Sequence, residues 1–173
     1  VCFSGGKDSI VLAKLFEMAG VKYTLNYSNV TIDPPELIWF IKKNYPEAIW
    51  HNPKKNLPMM MVDIGMPPTR LVRWCCLHYK ERGGYGLSKA TGVRAQESPR
   101  RKGLWKTINQ DRDNGSPIIC PILYWTDENI WEFIHSNSIP YCSLYDEGFK
   151  RLGCVGCPMA NKQRLAQFAR WPK

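Results

Sequence analysis

A six-residue string near the start of the chain has the composition of an anion-binding loop. It follows a short apolar stretch and consists of Ser4, Gly5, Gly6, Lys7, Asp8 and Ser9. Glycines let the backbone approach an oxyanion closely, and N–H groups at the start of a helix point at it. Lys7 adds a full charge, and Ser4 and Ser9 can donate hydroxyl hydrogen bonds. The string is too short for a Walker A loop, so it indicates a different phosphate cradle; the alternative is a Gly-Gly turn with a surface lysine.

A second basic segment, residues 91–101, has the chemistry to bind the same kind of anion. Arg94, Arg100 and Arg101 fall within it, and the planar guanidinium suits phosphate and sulfate. A strand ending in Gly92-Val93 would bring Arg94 to the same sheet edge as the first loop. A solvated basic turn is the alternative.

Four of the cysteines form two pairs that could bind metal. Cys75 and Cys76 are adjacent, and Cys154 and Cys157 form a Cys-x-x-Cys. Four thiolates can hold zinc or an iron–sulfur cluster. Adjacent cysteines suit a cubane, in which each thiolate takes a different iron, better than a zinc knuckle, so the pattern favours a [4Fe-4S] cluster. A zinc site and buried free cysteines remain as alternatives.

Alternating strands and helices must position these groups. Strands are predicted over residues 1–4, 21–30, 87–93 and 118–123, and helices over residues 8–19, 33–44, 69–81, 126–139 and 161–169. Asp33 is the predicted cap of the second helix, and Gly83-Gly84 the predicted stop of the third. Residues 45–66 are predicted to be irregular, and residues 103–116 to be polar and exposed. The alternation favours an α/β fold, a parallel sheet with helices on both faces, in a single domain over residues 1–173 with a cysteine region at about 140–173.

Composition narrows the class of partner. The 173 residues carry 24 Lys and Arg against 15 Asp and Glu, a net charge of +9, which favours an anionic partner such as a phosphorylated small molecule or nucleic acid. No apolar run reaches the roughly 20 residues that cross a bilayer, so no membrane partner is expected. Seven cysteines, an odd number, do not fit a secreted disulfide scaffold and favour a reducing cytoplasm.

The three motifs together resemble a known superfamily. Residues 4–9 resemble the PP-loop of the adenine-nucleotide α-hydrolase-like proteins, which include ATP pyrophosphatases and sulfonucleotide reductases. Residues 91–101 resemble the sulfonucleotide reductases' second anion loop, and residues 144–154 with the four cysteines resemble their cluster-binding pattern. The resemblance implies a Rossmann-like sheet, an adenylyl nucleotide (ATP, adenylylsulfate or phosphoadenylylsulfate) held by residues 4–9 with Arg94, Arg100 and Arg101, and a [4Fe-4S] cluster on the four cysteines. It also implies that magnesium can bind beside Asp8, and that Lys7, Asp8 and Arg94 serve catalysis.

Two enzymatic functions and one non-catalytic function follow from this resemblance. The first is reduction of a sulfonucleotide to sulfite with a thioredoxin-like reductant. The chain contains no Glu-Cys-Gly-(Leu/Ile)-His sequence, the family's nucleophile motif, so either that motif lies beyond residue 173 or the reaction differs. Residues 33–37, 67–70 and 157–159 are similar to a phage and genomic-island branch allied to the sulfurtransferase of DNA phosphorothioation, which implies an ATP pyrophosphatase acting in sulfur transfer to DNA or tRNA. The third predicted function is that of a nucleotide- or nucleic-acid-binding module without catalytic activity.

Overall fold

The structure is a computed structural model that describes residues 1–81, 86–111, 114–160 and 163–172. The described chain contains these strands and helices in order: β1 (Cys2–Phe3), α1 (Lys7–Met18), β2 (Asn26–Ser28), α2 (Pro35–Asn44), β3 (Ile49–His51), α3 (Leu57–Ile64), α4 (Trp74–Cys76), a π-helix (Leu77–Glu81), β4 (Lys89–Ala90), a 3₁₀ helix (Ala95–Glu97), α5 (Pro99–Leu104), β5 (Ile108–Gln110), β6 (Pro117–Ile119), α6 (Asp127–Ser136), a second 3₁₀ helix (Ser143–Tyr145) and α7 (Gln163–Arg170). The predicted stop at Gly83-Gly84 and the predicted first two residues of the last helix, 161 and 162, lie outside the described residues.

The first sheet is parallel and has the order β1-β2-β3. Its register pairs Phe3 with Tyr27, and Tyr27 with Trp50. Because the three strands run the same way, their carboxyl ends lie at one edge, where an open α/β sheet binds ligands. The loop that begins at Ser4 leaves β1 at this edge.

The second sheet has the order β4-β6-β5 and is mixed. β4 runs parallel to β6, whereas β5 is antiparallel to β6. The α/β class is confirmed, but the described residues form two three-stranded sheets where one parallel sheet was predicted. Residues 111–116 join β5 directly to β6, and a connection this short permits only an antiparallel hairpin. None of the described residues in 103–116 is buried, in agreement with the predicted exposure, although the segment also contains β5.

The main core lies where α1, α2 and α6 pack against the first sheet. Ile10 and Val11 of α1, Ile41 of α2 and Ile130 of α6 have no exposed surface. Burying such a side chain stabilises the fold by about 1.5–3 kcal/mol. α6 begins as predicted, because Thr126 accepts a hydrogen bond from the Asn129 N–H. This core fixes α1 against α6, and with them the charged groups at their N-terminal ends.

Local signals account for other differences from the predicted elements. Residues 45–66 contain α3, which Asn56 caps by accepting from the Met59 N–H and Gly65 ends at φ 78°. The predicted helix over 69–81 starts only at Trp74, because Thr69 closes a turn with Val72. Asp33 does not cap α2, which begins after Pro34; its carboxylate accepts from the Tyr27 hydroxyl at 2.5 Å.

Strand lengths are shorter than predicted, and no membrane span is found. β2 covers three of the ten residues predicted, and β4 two of seven. Among the described residues, no helix has both the length and the apolar character needed to cross a bilayer.

Candidate active site

The loop after β1 is built so that its backbone lies tightly against α2. Gly5 has φ +70°, and a Cβ placed there would lie 2.6 Å from Ile41 Cγ1. Ser9 is buried; its hydroxyl donates to the Gly6 carbonyl at 2.9 Å and accepts from the Ser4 N–H at 3.2 Å. Ser9 therefore braces the loop from within, while Ser4 and Gly6 line the neighbouring cleft.

Four charged groups from three elements meet behind this loop. Arg94 is 3% exposed; its Nε lies 2.6 Å from Asp8 Oδ1 and its Nη2 lies 2.5 Å from Asp127 Oδ1. The Nε contact is an ion pair without hydrogen-bond alignment. Lys7 is 4% exposed, and its Nζ lies 3.4 Å from the same Asp127 oxygen and donates to the Lys150 carbonyl at 3.1 Å. Two cations and two carboxylates thus neutralise each other and join α1, the second anion loop and α6.

Asp127 is a functional residue that the sequence did not single out. Because Asp127 is the first residue of α6, its type and position predict only a carboxylate that interacts favourably with the helix dipole. Burial acts to raise its pKa, but the hydrogen bond from Arg94 and the charges of Lys7 and Arg94 outweigh burial, so the pKa is lowered and the group stays ionised. No spacing in the sequence relates it to Lys7 or Arg94, so no sequence signal would have found the network.

Tyr145 is the second residue that the structure adds. Its hydroxyl accepts the Lys7 backbone N–H at 2.7 Å, and a Cβ at Gly6 would lie 3.4 Å from it. Burial raises the pKa of the Tyr145 hydroxyl, which therefore stays neutral. Tyr145 and Lys150 both precede Cys154 in the chain, so Lys7 ties the nucleotide loop to the segment that leads into the cysteine turn.

The second anion loop divides its arginines between different environments. Arg94 points into the charge network, whereas Arg101 lines the cleft and is ion-paired with Glu97. Arg151, which no prediction assigned, also lines the cleft, 3.5 Å from the other Glu97 oxygen. Burial and then the charges of Arg151 and Arg73 lower the pKa of Arg101. Arg100 is exposed on α5 and does not line the cleft.

A cleft of about 350 Å³ connects these groups. It lies between the edge strands of the two sheets, with β1 and the end of β2 on one side and the residues around β4 on the other. Gly92, after β4, approaches α1 so closely that a Cβ would lie 3.2 Å from Asp8 Cβ. The charged lining contains two arginines and two lysines against three carboxylates: Arg101, Arg151, Lys80, Lys89, Asp8, Asp33 and Glu97.

The four paired cysteines, here called the cysteine end, adjoin the cleft through residues that line it: Gly153 precedes Cys154, and Lys80 is hydrogen-bonded to Cys154. Val155 donates to the Ile32 carbonyl at 2.9 Å, which anchors the Cys154–Cys157 turn, and Arg73 Nη2 donates to Cys76 Sγ at 3.3 Å. Burial raises the pKa of Cys154 to about 12, with Lys80 lowering it and Asp33 raising it. Burial, followed by the neighbouring Cys76, raises the pKa of Cys75 to about 11.

These contacts decide whether the cysteines fit a metal group. Within the described residues, no three His, Cys, Asp or Glu side chains converge on one metal ion. A cubane makes no such demand, because each thiolate binds its own iron. The four sulfur atoms are near enough that ionising one of them affects its neighbours. Lys80 lies beside Cys154, and Arg73 lies beside Cys76. Four thiolates with two nearby cations have the donor chemistry that an anionic iron–sulfur cluster requires. The donor set therefore fits that group.

Comparison with known proteins now identifies the family. Residues 1–160 match the family model of the phosphoadenosine phosphosulfate reductase domain. The chain belongs to this family. The match includes the PP-loop, the second anion loop and all four paired cysteines. It confirms the resemblance to the sulfonucleotide reductases, and it does not test the phage and genomic-island branch.

Curated relatives of the chain match over limited regions. An adenosine 5'-phosphosulfate reductase of Staphylococcus haemolyticus is 32% identical over 43% of the chain and 30% of its own length. One of Halalkalibacterium halodurans is 37% identical over 47% of the chain and 35% of its own length. An uncharacterized 37.8 kDa protein of Escherichia phage 186 is 44% identical over 47% of the chain and 25% of its own length. The matched segments thus span 25% to 35% of these relatives.

Solved structures agree on the fold. The phosphoadenylyl-sulfate reductase of Candida auris, solved as a phosphate complex, superposes with a TM-score of 0.64 at 17% identity, over 88% of this chain and 80% of that one. The FMN adenylyltransferase of Candida glabrata, bound to FMN and an ATP analogue, gives 0.61 at 19% identity, over 94% and 56%. At these identities the likeness shows the fold alone, and it confirms the predicted family architecture.

Proposed function

We propose that the chain is the nucleotide-binding part of a sulfonucleotide reductase, which binds adenylylsulfate or phosphoadenylylsulfate and releases sulfite. The observation that carries the proposal is the cleft, which the PP-loop, Arg101 and Arg151 line together with Gly153 and Lys80, two neighbours of Cys154. The family match supports it. Seven free thiols also suit a reducing cytoplasm.

The cleft has separate environments for the two ends of such a nucleotide. Arg101 and Arg151 face each other across one carboxylate, Glu97, so their positive charges are not fully compensated. A phosphosulfate would supply the missing negative charge and accept from both guanidinium groups. The adenosine end would lie toward β1, β2 and the segment after β4, where Phe3, Tyr27 and Val93 line the cleft.

Roles follow from what each charged group already contacts. Because Lys7 and Arg94 are buried and paired with Asp8 and Asp127, we assign them to positioning the two anion loops. Arg101 and Arg151, which share the single carboxylate of Glu97, would neutralise the charge that develops on the leaving nucleotide. Arg100 is assigned at most a long-range electrostatic contribution, since it is exposed outside the cleft.

The reaction has two transfers. A thiolate attacks the sulfate sulfur, the sulfur–oxygen bond to the nucleotide breaks, and AMP or its 3'-phosphate derivative leaves with the bonding pair. The resulting thiosulfonate is reduced by a thioredoxin-like dithiol, which becomes a disulfide as sulfite leaves. Cys75, Cys76, Cys154 and Cys157 would hold the [4Fe-4S] cluster, which would serve electrostatics and positioning beside the substrate rather than electron storage.

A second candidate is an ATP pyrophosphatase that activates DNA or tRNA for sulfur transfer. Two carboxylates, Asp8 and Asp33, line the same cleft as the PP-loop, and carboxylate oxygens are ligands that magnesium prefers. The net charge of +9 also favours a polyanionic acceptor. In this reaction pyrophosphate leaves ATP, the acceptor oxygen is adenylated, and sulfur then displaces AMP.

One set of assays separates these functions. The full-length protein, purified without oxygen, is tested for sulfite release from both sulfonucleotides with thioredoxin, and for pyrophosphate release from ATP with magnesium and DNA or tRNA. Sulfite supports the reductase, and pyrophosphate alone supports the second candidate. Nucleotide binding without either product supports a non-catalytic module and overturns both.

A matched pair of variants tests the site itself. Arg101→Leu removes a guanidinium from the cleft and should lower kcat/KM at least about tenfold, the loss of one charged hydrogen bond. Arg100→Leu removes the same group one residue away, outside the cleft, and should leave kcat/KM nearly unchanged. Equal effects of the two variants would contradict the assignment of the cleft.

A further inference from the structure

Helix α7 (Gln163–Arg170) lies beyond residue 160, where the family match ends, yet it contacts the cysteine turn. Gln167 is 5% exposed, and its Oε1 accepts a hydrogen bond from the Gly156 N–H at 3.0 Å. The other buried polar or charged side chains of the described chain all belong to the nucleotide end: Lys7, Ser9 and Arg94. Gln167 is thus the corresponding buried polar group at the cysteine end.

The amides between Cys154 and Cys157 are all satisfied. The Val155 N–H donates to the Ile32 carbonyl at 2.9 Å, and the Cys157 N–H donates to the Cys154 carbonyl at 3.3 Å. Gly156 lies between them and donates to Gln167. The turn is therefore held from outside at two successive amides, once by backbone and once by this side chain.

The backbone of the turn also lies very close to α7. Gly156 has φ +71°, and a Cβ placed there would lie 2.8 Å from Phe168 Cε1. A glycine is needed for both reasons, conformation and space. Any side chain at residue 156 would therefore collide with Phe168 and push the turn away from α7.

The C-terminal end of α7 is anchored to the rest of the fold. Arg170 donates to Glu147 at 2.9 Å and to Glu36 of α2 at 2.8 Å. The Trp171 indole N–H donates to Glu36 at 3.3 Å, and its ring lies 5.4 Å from that of Phe149. Gln167 is therefore presented to the turn by a helix whose own position is fixed.

We propose that Gln167 is a positioning residue for the iron–sulfur site: it fixes the Gly156 amide so that Cys154 and Cys157 are held in one arrangement for metal. The inference rests on the cluster assignment of the proposed function. Gln167 would thus support the site from a helix that lies after residues 1–160, the part of the chain that matches the family model. A carboxamide suits this role because it is neutral and accepts a hydrogen bond without adding negative charge beside four thiolates.

The test compares three variants of the full-length protein. Gln167→Met keeps length and helix propensity but removes the acceptor oxygen, and Gln167→Glu keeps an acceptor. Gln163→Met makes the same chemical change one turn earlier on α7, where the side-chain amide donates to the Arg151 carbonyl at 3.4 Å and not to the cysteine turn. Circular dichroism checks folding, and Gln167→Ala replaces the methionine variant if that one does not fold.

Two measurements are made on each variant. Hydrogen–deuterium exchange of the Gly156 amide is followed in the metal-free protein, and iron release to a chelator is followed after anaerobic reconstitution with iron and sulfide. For Gln167→Met, both rates should rise at least about fivefold, as loss of one hydrogen bond predicts. Gln163→Met should stay near wild type in both rates. Gln167→Glu should keep amide exchange near wild type, because it retains an acceptor, but should release iron faster, because it adds a negative charge beside the thiolates. AMP affinity should be unchanged in all three.

The outcomes that overturn the proposal are separate from those that overturn the function. Wild-type rates in Gln167→Met, or equal acceleration in Gln163→Met, would show that Gln167 does not hold the turn. A wild-type protein that takes up no iron would overturn the cluster assignment, and the amide exchange would still decide whether Gln167 fixes Gly156.

Discussion

The nucleotide loop and the cysteine turn differ in how their reactive groups are stabilised. At the loop after β1, Lys7 and Arg94 are at most 4% exposed and are neutralised by Asp8 and Asp127 of the same chain. At the cysteine end, burial raises the pKa of Cys75 and of Cys154, so both thiols are protonated at neutral pH. Backbone contacts and one carboxamide hold the turn, rather than a balanced set of charges.

This difference shows that the nucleotide loop, unlike the cysteine turn, has its charged partners in place before a ligand binds. The nucleotide loop is set by charges that the chain itself supplies, so its geometry should persist without ligand. The cysteine end becomes charged only when a metal group displaces the thiol protons, so its final electrostatics depend on that group. Substitutions at the two ends should therefore affect the stability of the metal-free protein very differently.

The largest effect should come from the guanidinium at the centre of the network. Arg94→Leu leaves two carboxylates facing Lys7 alone and should lower the free energy of unfolding by about 3 kcal/mol. Urea denaturation measures this loss. The control is Arg100→Leu, an exposed arginine nearby, which should change stability by less than about 0.5 kcal/mol. If the two variants were equally stable, the ion pairs of Arg94 would not be what stabilises the nucleotide loop.

The next effect concerns the tight backbone of the same loop. Gly5→Ala forces a Cβ into positive φ and against Ile41, and should cost about 2–3 kcal/mol. Gly20→Ala has a similar φ of +64° with no atom within 4 Å, so it isolates the conformational cost of about 1 kcal/mol. Thermal unfolding of both variants gives the difference, and similar melting temperatures would contradict the close packing on α2.

Asp127→Asn should have a smaller effect that depends on pH. The loss at neutral pH should be about 1 kcal/mol, because the Asp127 side chain is 43% exposed and water screens its ion pairs. Its pKa is lower in the folded protein, so its contribution is present above the unfolded value of about 3.9 and is lost as pH falls through the folded value.

Stability measured from pH 7 down to pH 2 tests this sign. The wild-type and Asp127→Asn curves should converge at the acid end. Glu132→Gln, an exposed carboxylate on the same helix, should follow the wild type throughout. A gap between wild type and Asp127→Asn that persists in acid would show that the side chain acts through packing instead.

The smallest effect on the metal-free protein should be at the cysteine end. Cys157→Ser should change the free energy of unfolding of metal-free protein by less than about 0.5 kcal/mol, while iron bound after anaerobic reconstitution should fall sharply. Iron analysis and urea denaturation on the same preparation give both values. A large loss of stability without metal would mean that this cysteine serves the core, and the contrast between the two ends would fail.

Patterns within a few residues were enough to predict much of this protein. The Ser-Gly-Gly-Lys-Asp-Ser string predicted the loop, and Thr126 with the apolar positions after it predicted α6, because caps and turns depend on neighbouring residues. The cysteine spacing and the family resemblance were read from the sequence alone. Asn56 and Gly65 also carried the signal for α3, which was missed because the segment is rich in proline and methionine.

Only the tertiary structure decided which groups these motifs meet. Arg94 reads as a phosphate ligand, but the packing of α1 against α6 places it on Asp127, 33 residues away in sequence. The same packing directs Lys7 toward Asp127 and Lys150, and the docking of α7 brings Gln167 to Gly156. A sequence determines the charge and local conformation of each group. The partner of a buried charge depends on which helices share a core, and no local pattern records that.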